Sequence, residues 1–256
     1  MLDYAAFPEQ RQELIRQILR DHGRVVCVDL AAQMKVSEHT IRRDLHELSK
    51  EGVCKKVYGG AVLQIPEAGT FQSRKEQNHA IKDMIAQQCA SLVKNDTCIF
   101  IDAGTTNLAM ALALPDELTL TVATNAPDIA AALLKHPKID VIMLGGLIQK
   151  NSGGSVGHTA IEQLRNIIFD QAFIGGCAMS PESGLTGFDF ADCEFKKAAI
   201  RRSNQTIVGL TADKIPGVAR FSVAACEDID ILVVEEKLNK EFYNAFRAED
   251  ITLISV

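Results

Sequence analysis

From residue 97 onward the chain alternates short runs of Val, Ile, Leu and Phe with stretches of helical spacing. The apolar runs fall at 97–101, 118–123, 141–144, 172–174, 207–210, 231–234 and 251–256. The helical stretches lie near 77–94, 107–114, 127–136, 157–168, 190–203 and 238–248. A strand that is apolar at every position is buried on both faces, and a helix between consecutive strands lets them run parallel. The pattern therefore predicts an α/β unit, a mostly parallel, doubly wound sheet over residues 77–256. Such a sheet binds ligands beyond the carboxyl ends of its strands.

The first 63 residues follow another pattern. Leu14, Ile15, Ile18 and Leu19 share one face of a helix over 8–22, with Pro8 in its first turn and Gly23 at its stop. A shorter helix over 28–34 turns Leu30, Ala31 and Met34 inward. Lys35-Val36-Ser37 makes a turn, and the Ser37 hydroxyl caps a third helix that runs to about Lys50. Residues 53–63 then read as a hairpin about Gly59-Gly60. Residues 1–63 thus form one small domain. Residues 64–76, aperiodic and containing Pro66 and Gly69, form a linker in which Phe71 and Arg74 dock.

The third helix has two unlike faces. With Ile41, Leu45 and Leu48 inward, His39, Arg43, His46 and Lys50 point outward, flanked by Thr40 and Arg42. Helix, tight turn and capped helix make a helix-turn-helix, whose second helix enters the major groove of DNA. Ser37, His39, Thr40, Arg42, Arg43 and His46 are the candidate contacts on it. Arg42 and Arg43 are suited to base edges or to phosphates. Lys55 and Lys56 on the hairpin would reach backbone phosphates or the minor groove. The bland alternative is a solvated surface helix, and the preceding helix, turn and hairpin tell against it. Charge agrees: residues 1–62 hold 10 Lys and Arg against 9 Asp and Glu, while residues 63–256 hold 17 against 24. A polyanion is expected to meet the N-terminal part of a chain whose net charge is −6.

In the larger unit the most specific segment is Asp102-Ala103-Gly104-Thr105-Thr106, a strand end running into a helix start. Unpaired N–H groups and hydroxyls there suit an anion such as phosphate, although two threonines that only cap a helix would look the same. Thr124-Asn125, Gly145-Gly146 and Gly175-Gly176 follow other strands toward the same edge, and Lys196 lies on a helix near it.

These residues carry a family likeness. Gly23-Arg24-Val25, Val36-Ser37, Thr40-Ile41-Arg42-Arg43-Asp44-Leu45 and Tyr58-Gly59-Gly60-Ala61-Val62 resemble the winged helix-turn-helix of the DeoR family of bacterial transcriptional regulators. Phe71, Arg74, Lys82, Asp102-Ala103-Gly104-Thr105-Thr106, Thr124-Asn125, Leu144-Gly145-Gly146, Asp170, Phe173-Ile174-Gly175, Gly184-Leu185-Thr186, Glu194 and Lys196 resemble its effector domain. The likeness covers nearly the whole chain. It implies a fold similar to ribose-phosphate isomerase and a repressor whose operator affinity responds to a phosphorylated sugar. It further implies that Asp102, Gly104, Thr105, Thr106, Asn125 and Lys196 contact the ligand, and that Gly145, Gly146 and Gly175 shape the loops. Two positions depart from the family. Lys35 stands where Gly or Asn is usual. In Ala212-Asp213-Lys214 the lysine follows the aspartate directly, so no ligand contact is assigned to it.

Two rival readings remain open from sequence. One is a sugar-phosphate isomerase with an appended DNA module, in which Asp102, Asp170 or Glu194 acts as base. The other is an architectural protein whose α/β domain only oligomerises. No catalytic residue, metal ligand or cofactor is assigned. The seven cysteines contain no C-x-x-C pair and read as free thiols of a reducing compartment, and the six histidines have no ligand spacing. No apolar run approaches the ~18 residues of a membrane span and no secretory leader stands at Met1–Arg11, so a cytoplasmic protein is expected. Paired reading heads predict a homo-oligomer, dimer or tetramer, on an operator duplex.

Overall fold

The computed structural model describes residues 7–65, 69–236, 238 and 240–256. Pro66 of the expected linker and residues 1–6 of the expected N-terminal domain lie outside them.

Helix α1 (Pro8–His22) ends where Gly23, at φ 68°, donates its N–H to Leu19 O over 2.8 Å. Strand β1 (Arg24–Val26) follows, then α2 (Cys27–Met34). The turn is closed by Lys35 in the left-handed region, φ 54°. A side chain there costs about 1–2 kcal/mol relative to glycine. In α3 (Glu38–Lys50) the Ser37 hydroxyl accepts the Thr40 N–H, as the capping pattern predicts. The hairpin is β2 (Cys54–Val57) and β3 (Gly60–Leu63), and β1 joins it in the order β1-β3-β2. Gly60 is required by that third strand, since a methyl group there would overlap the Val25 carbonyl oxygen. Sequence reading missed β1 because three residues between two helices are too few to display alternation.

The small domain has a core of its own, which includes Ile15, Leu19, Leu30, Met34, Ile41, Leu45 and Leu48. Beside it Arg11 and Asp44 form a buried two-point ion pair, Nε to Oδ2 at 2.5 Å and Nη2 to Oδ1 at 3.0 Å, which fixes α1 against α3.

The second half of the expected linker is ordered. Thr70 caps the single turn α4 (Phe71–Lys75), and Phe71 is buried in the larger domain. There α5 (His79–Ser91), β4 (Cys98–Ile101), α6 (Thr105–Leu112), β5 (Leu120–Thr124), α7 (Pro127–Leu133) and β6 (Ile139–Met143) follow in turn. A hairpin comes next, β7 (Leu147–Gln149) and β8 (Gly154–Val156), then α8 (His158–Leu164) and β9 (Gln171–Ile174). After β10 (Ala178–Ser180), β11 (Gly184–Gly187) and α9 (Phe190–Ile200), the chain continues through β12 (Thr206–Gly209), β13 (Phe221–Ala224) and β14 (Ile231–Val234). It ends with α10 (Lys240–Ala248) and β15 (Thr252–Ser255).

The seven strands predicted from the apolar runs form one sheet, ordered β15-β14-β12-β9-β4-β5-β6 and parallel throughout. Separate apolar cores cover its faces, one around Phe100, Phe169 and Phe195, the other around Ile85, Ile99 and Phe173. The chain enters at β4, steps outward through β5 and β6, and returns to β9 on the other side of β4. Strand order therefore reverses between β4 and β9, and at such a switch point the loops diverge and leave a crevice. The antiparallel sheet β10-β11-β13 and the β7–β8 hairpin were not foreseen. Their strands have three or four residues, and β8 and β11 carry glycines that read as turns.

Candidate functional site

Two faces bring the expected residues together. On α3, Ser37, His39, Arg42, Arg43 and His46 are exposed and Thr40 is half-buried. The Arg42 and Arg43 side chains keep 63% and 75% of their surface in solvent. Among the described residues, each is held by the glutamate one turn away, Arg42 to Glu38 at 3.0 Å and Arg43 to Glu47 at 3.6 Å. Exposed i,i+4 pairs are worth a few tenths of a kcal/mol, so both guanidinium groups are free to turn toward a duplex. Lys55 and Lys56 are exposed on the adjacent strand β2, beside the exposed Val57 and Tyr58 at the hairpin tip. The arrangement is a winged helix-turn-helix.

The second face is a cavity of about 320 Å³ at the β4/β9 switch point. Gly104, Thr105 and Thr106 wall it where α6 begins, and Gly175, Gly176 and Cys177 wall it after β9. Thr186 of β11, Asp189 and Asp192 at the start of α9, and the cations Arg74, Lys196, Lys214 and Arg220 complete much of its lining. Of the expected ligand contacts, Gly104, Thr105, Thr106, Gly175 and Lys196 therefore reach the cavity. Asp102, Asn125, Gly145 and Gly146 are not part of its lining.

Those four have other work. Asn125 is wholly buried: its Oδ1 accepts the Ala103 N–H at 3.0 Å and its Nδ2 donates to Ser155 O at 3.0 Å, tying the loop after β4 to β8. Gly145 donates to Gln163 Oε1, and Gly146 sits against Val156 O and Ala160. Asn107, which sequence reading passed over, donates to the carbonyls of Asp102 (2.8 Å) and Phe173 (3.1 Å) and so clamps β4 to β9.

Asp102 belongs to a buried charge cluster. Lys196 Nζ lies 2.5 Å from Asp192 Oδ2 and 3.2 Å from Asp102 Oδ2, which also accepts the Gly175 N–H at 2.9 Å. Among the described residues, Asp102 Oδ1 and Asp192 Oδ1 have no hydrogen-bond partner. One ammonium thus faces two carboxylates in a site without water's screening. Burial lifts the Asp102 carboxyl to about 6; Lys196 opposes the shift and Asp192 adds to it. Burial works against the Lys196 charge too, but Asp102 and Asp192 outweigh it and raise that pKa.

A stability signature follows. The Asp102 carboxyl has its folded pKa above the unfolded value of about 3.9, so its contribution is full below pH ~4 and is lost as pH rises through about 6. Denaturant unfolding of wild type and Asp102→Asn between pH 4 and 7 is the check: the difference curve should fall across that window, and a flat curve contradicts the assignment.

Lys214, left without a ligand contact because its spacing departs from the family pattern, lines the cavity, and its Nζ donates to Gly176 O at 3.1 Å. Burial lowers its pKa. The available signal was its place in the turn after β12, another carboxyl end of the sheet. Lys82 is also buried, donates to Arg74 O at 2.6 Å, and is pushed down by burial.

Comparison with known proteins identifies both domains. Residues 11–66 match the DeoR-like helix-turn-helix domain and residues 77–236 the DeoR C terminal sensor domain. The HTH-type transcriptional regulator GolR of Listeria innocua is 35% identical, over 94% of this chain and 96% of that protein. The glycerol-3-phosphate regulon repressor of Escherichia coli is 27% identical, over 88% of this chain and 90% of its own length. Among solved structures, ribose 5-phosphate isomerase A of Methanocaldococcus jannaschii aligns with a TM-score of 0.41 and 17% identity, over 54% of this chain and 55% of that one. With a reading head at one end, a sensor domain filling the rest and family matches over both, the chain belongs to the DeoR family of transcriptional regulators.

Proposed function

We propose that this regulator is a repressor that grips an operator duplex through α3 and the β2–β3 wing, and that a phosphorylated sugar or related metabolite in the switch-point cavity changes its grip. The observation that carries the reading is the cavity's chemistry. A helix start with two threonines shares the lining with Arg74, Lys214 and Arg220, and helix N–H groups with cations suit a phosphate. Asp102, one of the three candidates for a catalytic base, lies outside the cavity lining and is engaged by Lys196 and Gly175, and neither Asp170 nor Glu194 is part of that lining. A general base must reach the proton it takes, so binding without turnover is the reading this favours. The protein works in the cytoplasm as a homo-oligomer, since two heads read two half-sites.

The test is a thermal-shift screen of phosphorylated aldoses, ketoses and polyols, followed by duplex binding with the best hit. At about 100 times its Kd a ligand stabilises by roughly 2.7 kcal/mol, several degrees for a domain of this size. Thr105→Val should lose that shift and keep duplex binding. An unchanged shift in Thr105→Val, or steady isomerisation of any hit by the wild type, would sink the proposal.

A further inference from the structure

Residues 211–220 touch both halves of the molecule. At one end Lys214 lies on the cavity wall, bonded to Gly176 O at 3.1 Å. At the other, Arg220 lines the same cavity, and Ala219 donates its N–H at 2.9 Å to the hydroxyl of Thr186, also on the wall. The middle of the segment faces away from the cavity and seats the winged unit. Val218 N donates to Leu63 O of β3 at 3.1 Å, and Gln64 bridges to Val218. Ile65 fills the space that a side chain on Gly217 would need. The Pro216 ring fills the space above Gly23, where α1 ends.

We propose that this strap is the element through which occupancy of the cavity is passed to the DNA-reading head; the inference rests on reading that cavity as the effector site. Two residues separate Lys214 from Gly217, and a chain that short has no slack to absorb a shift of its end. Residues 215–219 are all buried, and packed interfaces of this kind switch between arrangements rather than deform smoothly. The other ties between the halves include two exposed side-chain contacts, the Arg24–Glu182 ion pair at 2.6 Å and His22 Nδ1 to Glu241 Oε2 at 3.2 Å. Pairs of that kind hold little. An anion that draws on Lys214 or Arg220 therefore pulls on the seat of the head.

Position between two sites is not yet coupling, and coupling is reciprocal, so it is measurable from the DNA side without knowing the effector. Cys177, half-exposed on the cavity wall, is the reporter; Cys98, half-exposed at the start of β4, is the internal reference. The duplex is one selected by the full-length protein from a random library. Its addition should change the alkylation rate of Cys177 by about fivefold or more, with Cys98 unchanged. In Gly217→Ala, whose new methyl group overlaps Ile65, the duplex should still bind while Cys177 no longer responds. Ile65→Ala, which empties the seat instead of crowding it, should also weaken the response. Gly217→Ala combined with Ile65→Ala should restore it, since the methyl group then occupies the vacated space.

A wild-type Cys177 indifferent to bound duplex overturns the strap, as do Gly217→Ala and Ile65→Ala if both transmit normally, or a double variant that restores nothing. A thermal-shift panel of glycerol 3-phosphate, ribose 5-phosphate, fructose 6-phosphate and inorganic phosphate on the same wild-type sample separates the two ideas. Stabilisation without a Cys177 response rejects the strap alone. A Cys177 response with no stabilisation by the panel supports the strap and counts against the effector reading.

Discussion

Arg43→Ala is expected to weaken operator binding by one to two orders of magnitude while leaving the melting temperature and any ligand-induced stabilisation in place. The side chain is three-quarters exposed, and among the described residues its one ion-pair contact is the 3.6 Å approach to Glu47, so the folded head loses almost nothing with it. In the complex a guanidinium in the major groove makes two hydrogen bonds to guanine, worth about 1–3 kcal/mol against the wrong base. That corresponds to roughly 5- to 150-fold in affinity. The manner of the loss identifies the contact. If Arg43 reads a base, Arg43→Ala relaxes preference at one operator position. If it grips a phosphate, affinity falls evenly across sequences and the salt slope drops by about one. Arg42, paired with Glu38 and nearly as exposed, is the matched comparison. Gel shifts over a salt series on single-position operator variants measure both, and wild-type affinity in Arg43→Ala would remove α3 from the interface.

What the sequence displayed and what it hid divide along physical lines. The seven-stranded sheet was legible because strands buried on both faces need apolar side chains at nearly every position, as in Ile99-Phe100-Ile101. The reading helix was legible because burying Ile41, Leu45 and Leu48 leaves Arg43 and His46 nowhere to point but outward. The small sheets were hidden, since Gly184 and Gly187 bound a strand that looks like a turn. Within the site, type and order along the chain located the right loops but not the direction of each side chain. Asn125 and Thr105 both follow strand ends, yet Asn125 spends its amide on Ala103 and Ser155 while Thr105 meets the cavity. Lys214 erred the other way: its spacing broke the family pattern, and the fold carries it to the wall all the same. Polar residues at strand ends serve loops and ligands with the same chemistry, so only three-dimensional placement separates the two.

Lys196 tests that separation most sharply, because it lines the cavity and also neutralises the buried carboxylates behind it. Lys196→Met should destabilise the sensor domain by about 3–5 kcal/mol, since it leaves Asp102 and Asp192 in one buried site without their cation. Against a typical total of about 5–15 kcal/mol, the melting temperature should fall by roughly 6–20 °C. The winged head keeps its own core and should stay folded. Part of the loss should return on acidification, because protonating Asp102 removes its repulsion with Asp192. Removing the charge from all three groups at once, with Lys196→Met, Asp102→Asn and Asp192→Asn, should recover most of the stability, since a buried ion cluster replaced by neutral groups of similar size is close to neutral in energy. In that repaired protein the ammonium is absent and the wall stands. If the best phosphorylated sugar still raises its melting temperature as in the wild type, Lys196 serves the cavity by holding Asp102 and the Gly175 loop in place. If the shift vanishes there but survives in Asp102→Asn with Asp192→Asn alone, the ammonium itself reaches the ligand.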